Sequence, residues 1–477
     1  MSHAHRARSG LFWSAVDRIF TQGLTFGIGL LLARMIAPAE YGLVAMVMVF
    51  VAISEVLVRA GLSDALIQKK ELEPSDCESV LYCNLFFSIL LMVCLCAAAP
   101  LISNFYHQPR LTLIVRVLSV GLFFQAISTV QVARMQRAIN FKDQTKATVP
   151  GQLLAGLLGL SWAYAGFGVW ALVGASLAGK LLQSLFLWQR GGWRPSAPFS
   201  MAALRTLVGY GFRMGLSQVL DAIFKNIYAL VIGRFYPPAQ VAFYQRAKGF
   251  QQLPVTNLQA IVGRVLFPLM ASVQDDELRM RQTTKRVIKL LGFIMFPTMA
   301  LLALVSQDLV HFLIGEKWLP SVPLLQLLCL VGALYPIHSL NLTVLTAKGL
   351  AKLFLRLAII KKTLMLVILA GTFHYGIYAM VLGQVGASLI ALLINSYYTK
   401  KYLDYGLLAQ VVDLFPYICI TAVSSLSTYL ILQQCTLSLF IALALSGILF
   451  AVIYLALALV LRLEAMREAL ALVSGRK

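Results

Sequence analysis

Six basic side chains stand inside long apolar stretches of this sequence: Arg18, Lys180, Arg213, Lys225, Arg246 and Lys248. Arginine and lysine in such places are anion-binding groups. A guanidinium offers a planar fork of donors and an ammonium a compact charge, and both suit phosphate. Only three acids, Asp17, Glu55 and Asp221, lie in comparable stretches. If these stretches cross a bilayer, each charge at the centre costs roughly 2.5–3.5 kcal/mol, and six facing lipid cost on the order of 15 kcal/mol. Such side chains must face water, each other or a ligand.

Pairing accounts for some of them. Asp221 and Lys225 are four residues apart, as are Glu55 and Arg59, so each pair shares one helical face. Asp17 can meet a base on a neighbouring helix. Seven further basic residues, Arg34, Arg59, Arg116, Arg264, Lys289, Lys361 and Lys362, are read as lying near span ends, where they snorkel to the headgroups. Two readings remain for the six deep cations. One is structural pairing with end snorkelling. The other, favoured for the set, is a water-filled cationic cavity for an anionic ligand, lined mainly from the first, seventh and eighth spans.

The elements that must position these residues are transmembrane helices. Of 477 residues, 60% are apolar and only 12% are charged, against roughly 25% charged in soluble chains. The apolar residues run in blocks of about 20, the length that spans a bilayer core. Fourteen spans are expected, at 9–34, 42–61, 79–105, 111–133, 147–165, 168–188, 206–233, 239–268, 287–305, 320–346, 354–374, 376–398, 411–432 and 437–461. The chain is therefore expected to be an all-α polytopic membrane protein with no water-soluble domain. The 40 Lys and Arg against 19 Asp and Glu sit singly or in pairs between the blocks, the pattern of topology signals and not of nucleic-acid binding. One alternate set of loops carries 24 Lys and Arg, and the other only Arg110, Arg234 and Lys317. Both termini are thus expected in the cytoplasm. No cleavable signal peptide is expected.

The sequence echoes itself. Arg34-Met-Ile-Ala-Pro38 follows the first span and Arg234-Phe-Tyr-Pro-Pro238 follows the seventh. Six spans separate the copies, so they share an orientation. This predicts two six-helix pseudo-repeat lobes, 1–205 and 206–400, related by an axis along the membrane normal, with two appended helices and a tail over 401–477. Repeats of this kind place a binding site at their interface.

Other residues are less informative. Pro150, Pro254, Pro268, Pro297 and Pro336 are expected to kink helices. Gly23, Gly27, Gly29, Gly151, Gly156 and Gly159 are expected to permit close helix packing. The histidines His107, His311, His338 and His374 are isolated, and proton handling is the minor reading for each. The seven cysteines read as small packing residues. Asp275-Asp276-Glu277, among Arg279, Arg281, Lys285 and Arg286, reads as a solvated, self-neutralising turn. The tail from Arg462 to Val473 is expected to lie on the cytoplasmic membrane surface. No Asp-x-Asp, Ser/His/Asp set, nucleotide loop or metal spacing is present, so an enzyme is not expected, and neither is a cofactor.

The sequence resembles the polysaccharide transporter group of the MOP superfamily, the Wzx-type flippases, and within it exporters of colanic acid and lipopolysaccharide repeat units. The resemblance runs from about Leu11 to about Leu461. It is carried by Ala33 to Gly42, by Ala60-Gly61-Leu62-Ser-Asp64-Ala65 with Gln68-Lys69, by Tyr244-Gln-Arg246-Ala247 through Pro254, by Val265-Leu266-Phe267-Pro268, and by Gly315-Glu316-Lys317-Trp318. It implies a protein of the bacterial inner membrane that works in surface polysaccharide biosynthesis. Such a protein moves an undecaprenyl-diphosphate-linked oligosaccharide from the cytoplasmic to the periplasmic leaflet by alternating access. It also implies contact with the polymerase and export machinery. Related drug exporters couple transport to ions through acids, for which Asp17, Glu55 and Asp221 are the candidates here.

Two other functions stay open. A cation-coupled multidrug exporter of the same superfamily is expected to have an acidic cavity, which the excess of base opposes. A membrane enzyme or polymerase of the same pathway is opposed by the absence of a large loop.

Overall fold

The computed structural model describes residues 3–59, 61–261, 267–434 and 438–467, with side chains for all of these except residues 3–12, 14–19, 213, 260, 261, 267 and 268. The described residues form helices and no strands. The chain divides into two compact units, Met1–Ala242 and Phe243–Lys477.

The first unit contains α1 (His3–Met35), α2 (Pro38–Arg59), α3 (Leu62–Gln68), α4 (Pro74–Tyr106), α5 (Leu111–Ser119), α6 (Gly121–Arg137), α7 (Phe141–Tyr164), α8 (Val169–Arg190) and α9 (Met201–Phe235). It ends in the first turn of α10 (Pro238–Ile261). The second unit holds the rest of α10 and then α11 (Phe267–Ser272), α12 (Glu277–Leu304), α13 (Ser306–Ile314), a 3-10 segment (Glu316–Ser321), α14 (Val322–Ala347), α15 (Ala351–Thr372), α16 (Ile377–Leu403), α17 (Leu407–Gln433) and α18 (Leu439–Val460).

Each expected span has a helical counterpart, with α5 and α6 together taking the place of one. Ten helical segments of the described residues are long and apolar enough to cross a membrane. The chain is a multi-pass membrane protein. α1, α7, α10 and α15 are not among the ten. Polar residues interrupt them, as Lys352, Arg356, Lys361 and Lys362 do in α15. Fourteen spans is therefore an expectation that these four must still meet.

The motif repeated at an offset of 200 residues builds the same joint twice. α1 ends at Met35 and α2 starts at Pro38, while α9 ends at Phe235 and α10 starts at Pro238. In both, one last amide closes onto the preceding helix: Ile36 N donates to Leu32 O at 2.9 Å, and Tyr236 N to Ile232 O at 2.8 Å. The cause is proline. It cannot continue the helix before it, yet its missing N–H costs nothing at a helix start. The first joint also approaches the second closely. A Cβ on Gly42 would stand 1.8 Å from the carbonyl oxygen of Pro238, so only glycine fits there.

Close approach also organises the rest of the first unit. α7 packs on α8 and α1. A Cβ on Gly159 would meet the Ala175 methyl at 2.7 Å, and one on Gly151 the Gln183 amide at 3.0 Å. This is the close packing expected of these glycines. Gly23 and Gly27 differ: nothing lies within 4 Å of a Cβ there, so in α1 they do not serve packing. α9 packs with α2, α3 and α4. Gly61 has φ +66°, and its Cβ would stand 2.2 Å from Gly211 O on α9. Outward-facing positions are large and apolar, as at Phe86, Leu101, Val367 and Ile448, as a lipid-facing surface requires. α4, α7, α10, α12 and α14 run through Pro100, Pro150, Pro254, Pro297 and Pro336 without ending.

Candidate functional site

In the first unit, α2 carries Glu55 and Arg59 on one face, and α8 brings Lys180 to the same place. The Lys180 ammonium donates to Glu55 Oε1, and Arg59 Nη2 lies 4.0 Å from Glu55 Oε2. One carboxylate thus serves two cations. Lys180 and Glu55 keep only 16% and 18% of their side-chain exposure. The sequence pairs Glu55 with Arg59, and the structure adds Lys180 as its closer partner. Lys180 fits because Gly121 faces it: a Cβ there would lie 3.0 Å from Lys180 Cδ. A charge pair of this kind removes most of the cost of placing an ammonium inside a bilayer.

Asp221 and Lys225 lie one turn apart on an exposed face of α9. One turn earlier, Gln218 Nε2 donates to Asp64 of α3 at 2.8 Å. Asp17, Arg18 and Arg213 lie on α1 and α9, and their side chains are outside the described residues.

In the second unit, α10 carries Arg246 and Lys248. The Arg246 guanidinium stacks over the ring of Trp318 at 5.2 Å, and the Lys248 ammonium lies 5.7 Å from the ring of Tyr244. Trp318 and Tyr244 are fully buried. Two residues apart on a helix means roughly opposite faces, so the structure does not bring Arg246 and Lys248 to one spot. Trp318 is held by the 3-10 segment after Gly315, whose φ of +90° makes the turn. Phe243 packs edge-on against it at 6.0 Å. A guanidinium fixed on a buried ring is a planar donor suited to a phosphate.

Several polar contacts were not legible beforehand. Arg110 pairs with Glu40 at 3.1 Å. Arg234 donates to Phe105 O at 2.6 Å and meets His107. Arg137 caps α3, donating to the carbonyls of Leu66, Lys69 and Lys70. Fully buried Asp76 takes Lys69 at 2.7 Å, and fully buried Glu78 accepts from Ser196 N at 3.1 Å. Beside them a pocket of about 490 Å³ is lined by Cys77, Arg134, Arg137 and Trp193. Asp76 and Glu78 at the head of an apolar helix were the only sequence signal for this cluster.

The second unit has its own set. Asp276 caps α12 by accepting from Arg279 N at 3.0 Å, and Glu277 takes Lys348 at 2.7 Å. The self-neutralising reading of this turn holds for Asp276 with Arg279 at 3.3 Å, whereas Arg281 and Lys285 pair with Asp404 and Asp413 outside it. Lys289 meets Asp413 at 3.5 Å and Glu464 at 2.6 Å. Of the tail, residues beyond Arg467 lie outside the described residues. One reading is corrected. Lys361 is not near a helix end. It is the middle residue of α15, and its Nζ donates to Asn395 Oδ1 on α16 at 3.3 Å. The sequence boundaries were close, but a run of Lys361-Lys362 looks like an end signal when depth is unknown. Among the described residues, no group of three His, Cys, Asp or Glu could hold a metal ion.

A family model described as "Polysaccharide biosynthesis protein" matches residues 31–323. The chain is 27% identical over 353 residues to the lipopolysaccharide biosynthesis protein WzxC of Escherichia coli (strain K12), covering 73% of this chain and 71% of that one. Its fold is that of the lipid II flippase MurJ in an inward closed conformation, with a TM-score of 0.77, 14% identity, and 94% and 98% of the two chains covered. A multidrug resistance transporter of the MATE family, MOP superfamily, matches with a TM-score of 0.63 and 15% identity over 83% of this chain and 99% of that one. At these identities the two solved structures speak for the fold alone, and that fold is the MOP transporter fold.

Proposed function

The chain belongs to the polysaccharide biosynthesis protein family, and from that membership we propose that it is a flippase for a lipid-linked oligosaccharide. The substrate is an undecaprenyl-diphosphate-linked repeat unit, moved from the cytoplasmic to the periplasmic leaflet of a bacterial inner membrane. Both termini lie in the cytoplasm, and the product feeds the polymerase and export machinery of a surface polysaccharide. The observation that carries this reading is the family match over residues 31–323, supported by the relative named for lipopolysaccharide biosynthesis.

The chemistry of the chain fits the substrate. A diphosphate carries two negative charges, and the chain supplies deep cations in excess of acids. Arg18, Arg213, Lys225, Arg246 and Lys248 are the substrate-binding candidates. Lys180 belongs with them only when Glu55 releases it, because Glu55 holds its charge in this state. This makes Glu55 the leading coupling candidate over Asp17 and Asp221: protonating or ion-loading Glu55 frees Lys180 for an anion. Arg246, held over the buried ring of Trp318, is the phosphate donor of the second unit.

The test is complementation of a bacterial strain lacking its own repeat-unit flippases. Expression of this chain restores surface polysaccharide and clears lipid-linked intermediates from the cytoplasmic leaflet. Intermediates that stay in that leaflet, with the protein present at normal levels, count against flipping. Resistance to cationic drugs without polysaccharide rescue points to the multidrug exporter instead.

A further inference from the structure

The second unit holds a half-open pocket whose lining includes neither Arg246 nor Lys248. Its volume is about 550 Å³, and it lies among α14, α15 and α16. Lys361, His338, Ser388, Thr346 and Asn395 contribute polar groups to it, and no acidic side chain lines it. Lys361 stands eleven residues into a helix of 22. Among the described residues no carboxylate lies within the 4.0 Å of an ion pair with Lys361. Its one hydrogen bond is to the amide oxygen of Asn395.

The polar atoms around it are left half satisfied. Asn395 is fully buried. Its oxygen accepts from Lys361, and its Nδ2 has no partner. His338 shares a hydrogen bond with Ser388 at 3.0 Å through Nε2, while Nδ1 is buried without one. A buried polar group without a partner asks for a ligand or an ion. The unused groups include an ammonium and an amide N–H, both donors. The Lys361 ammonium repels a cation, and no carboxylate in the lining offsets it. Deprotonating Lys361 would remove the charge but leave the Asn395 amide unsatisfied. An anion beside both groups answers the charge and the donor together.

We propose that the pocket between α14, α15 and α16 is an anion-binding site. Lys361 and the Asn395 amide are its donors, and it takes a small inorganic anion of the chloride or phosphate class, or the same phosphate carried on a lipid headgroup. The site lies inside the second unit and does not depend on the transported substrate.

The test uses the purified full chain. In detergent, its melting temperature is followed against sodium chloride and sodium phosphate, with gluconate holding ionic strength constant. A ligand that binds only the folded state raises the melting temperature saturably. Wild type is expected to show that rise, and Lys361→Met to lose it. Lys361→Arg keeps a reduced response, since charge and donors survive. Asn395→Asp places a carboxylate beside Lys361 and so supplies the missing counter-charge from within. This variant is expected to melt higher than wild type without added anion and to gain nothing from it. Nanodiscs of phosphatidylglycerol and of phosphatidylcholine form the lipid arm. A response to phosphatidylglycerol that Lys361→Met abolishes, with none to free anions, assigns the headgroup as the source. Either an absence of response in both arms or an equal response in wild type and Lys361→Met overturns the proposal. So does an Asn395→Asp protein that melts lower and still responds.

Discussion

Glu55 and Lys180 lie 125 residues apart in sequence and form an ion pair between α2 and α8 of the first unit. The pair joins the second helix of the first unit to its eighth. It also changes what the basic residues mean, because a lysine that holds a carboxylate is not available to an anion until the carboxylate lets go.

Lys180→Ala leaves Glu55 with Arg59 alone, at 4.0 Å. Removing one partner of a fully buried pair costs about 3–5 kcal/mol. The residual exposure here lowers that to roughly 1–3 kcal/mol. A lower melting temperature in detergent is expected, and Glu55→Gln with Lys180→Ala should recover much of it. A double variant as unstable as the sum of its parts would show that the two side chains do not interact.

Asn341 of α14 and Gln410 of α17 exchange two amide hydrogen bonds, each 3.1 Å. Thr399 and Ser396 of α16 add theirs at 3.0 and 3.2 Å. All four are buried. Asn341→Ala takes one partner each from the Gln410 Nε2 and Oε1, which keep Tyr405 O and Ser396, at a cost of about 1–3 kcal/mol. Asn341→Leu with Gln410→Leu removes both partners and should cost less than either single change. A double-mutant cycle of melting temperatures reads the coupling, and additive losses would reject it.

Arg246→Ala is expected to reduce export at normal protein levels, because a charge-assisted hydrogen bond contributes roughly 1.5–3 kcal/mol, or about ten- to a hundredfold in affinity. Arg246→Lys should retain part of the activity, since the charge survives and the bidentate fork does not. Trp318→Ala behaves differently. It empties a fully buried position, at about 3–5 kcal/mol of stability, so protein level falls along with transport. Full export by Arg246→Ala in a strain without other flippases would remove this residue from the substrate path.

The membrane orientation is open to labelling. Single cysteines replacing Lys70, Asn140, Pro195 and Leu350 are expected to react with a membrane-impermeant reagent only after the cytoplasmic side is opened. Labelling of any two in intact spheroplasts would reverse the orientation taken from the loop charges.

Much of this was legible in one dimension. Span lengths, the excess of base and the two proline joints are local properties. A bilayer demands about 20 apolar residues wherever the chain crosses it, and proline ends a helix whatever surrounds it. The motif of Arg34 to Pro38 and its copy at Arg234 to Pro238 therefore predicted two equivalent joints, and the joints share their hydrogen bonding.

What one dimension could not supply was partnership and depth. The i, i+4 rule found Arg59 for Glu55 but not Lys180, because helix spacing says nothing about which distant helix arrives at the same face. Helix spacing alone turns Arg246 and Lys248 apart and sets Lys248 one turn from Tyr244, but only packing gave Arg246 the ring of Trp318. Lys361 is the clearest case. Beside Lys362 it has the look of a snorkelling pair at a span end, and the sequence carries no measure of depth. Only when α16 packs against α15 does its half-buried ammonium meet the buried amide of Asn395. The cost of a buried charge depends on the groups around it, and those are set by tertiary structure.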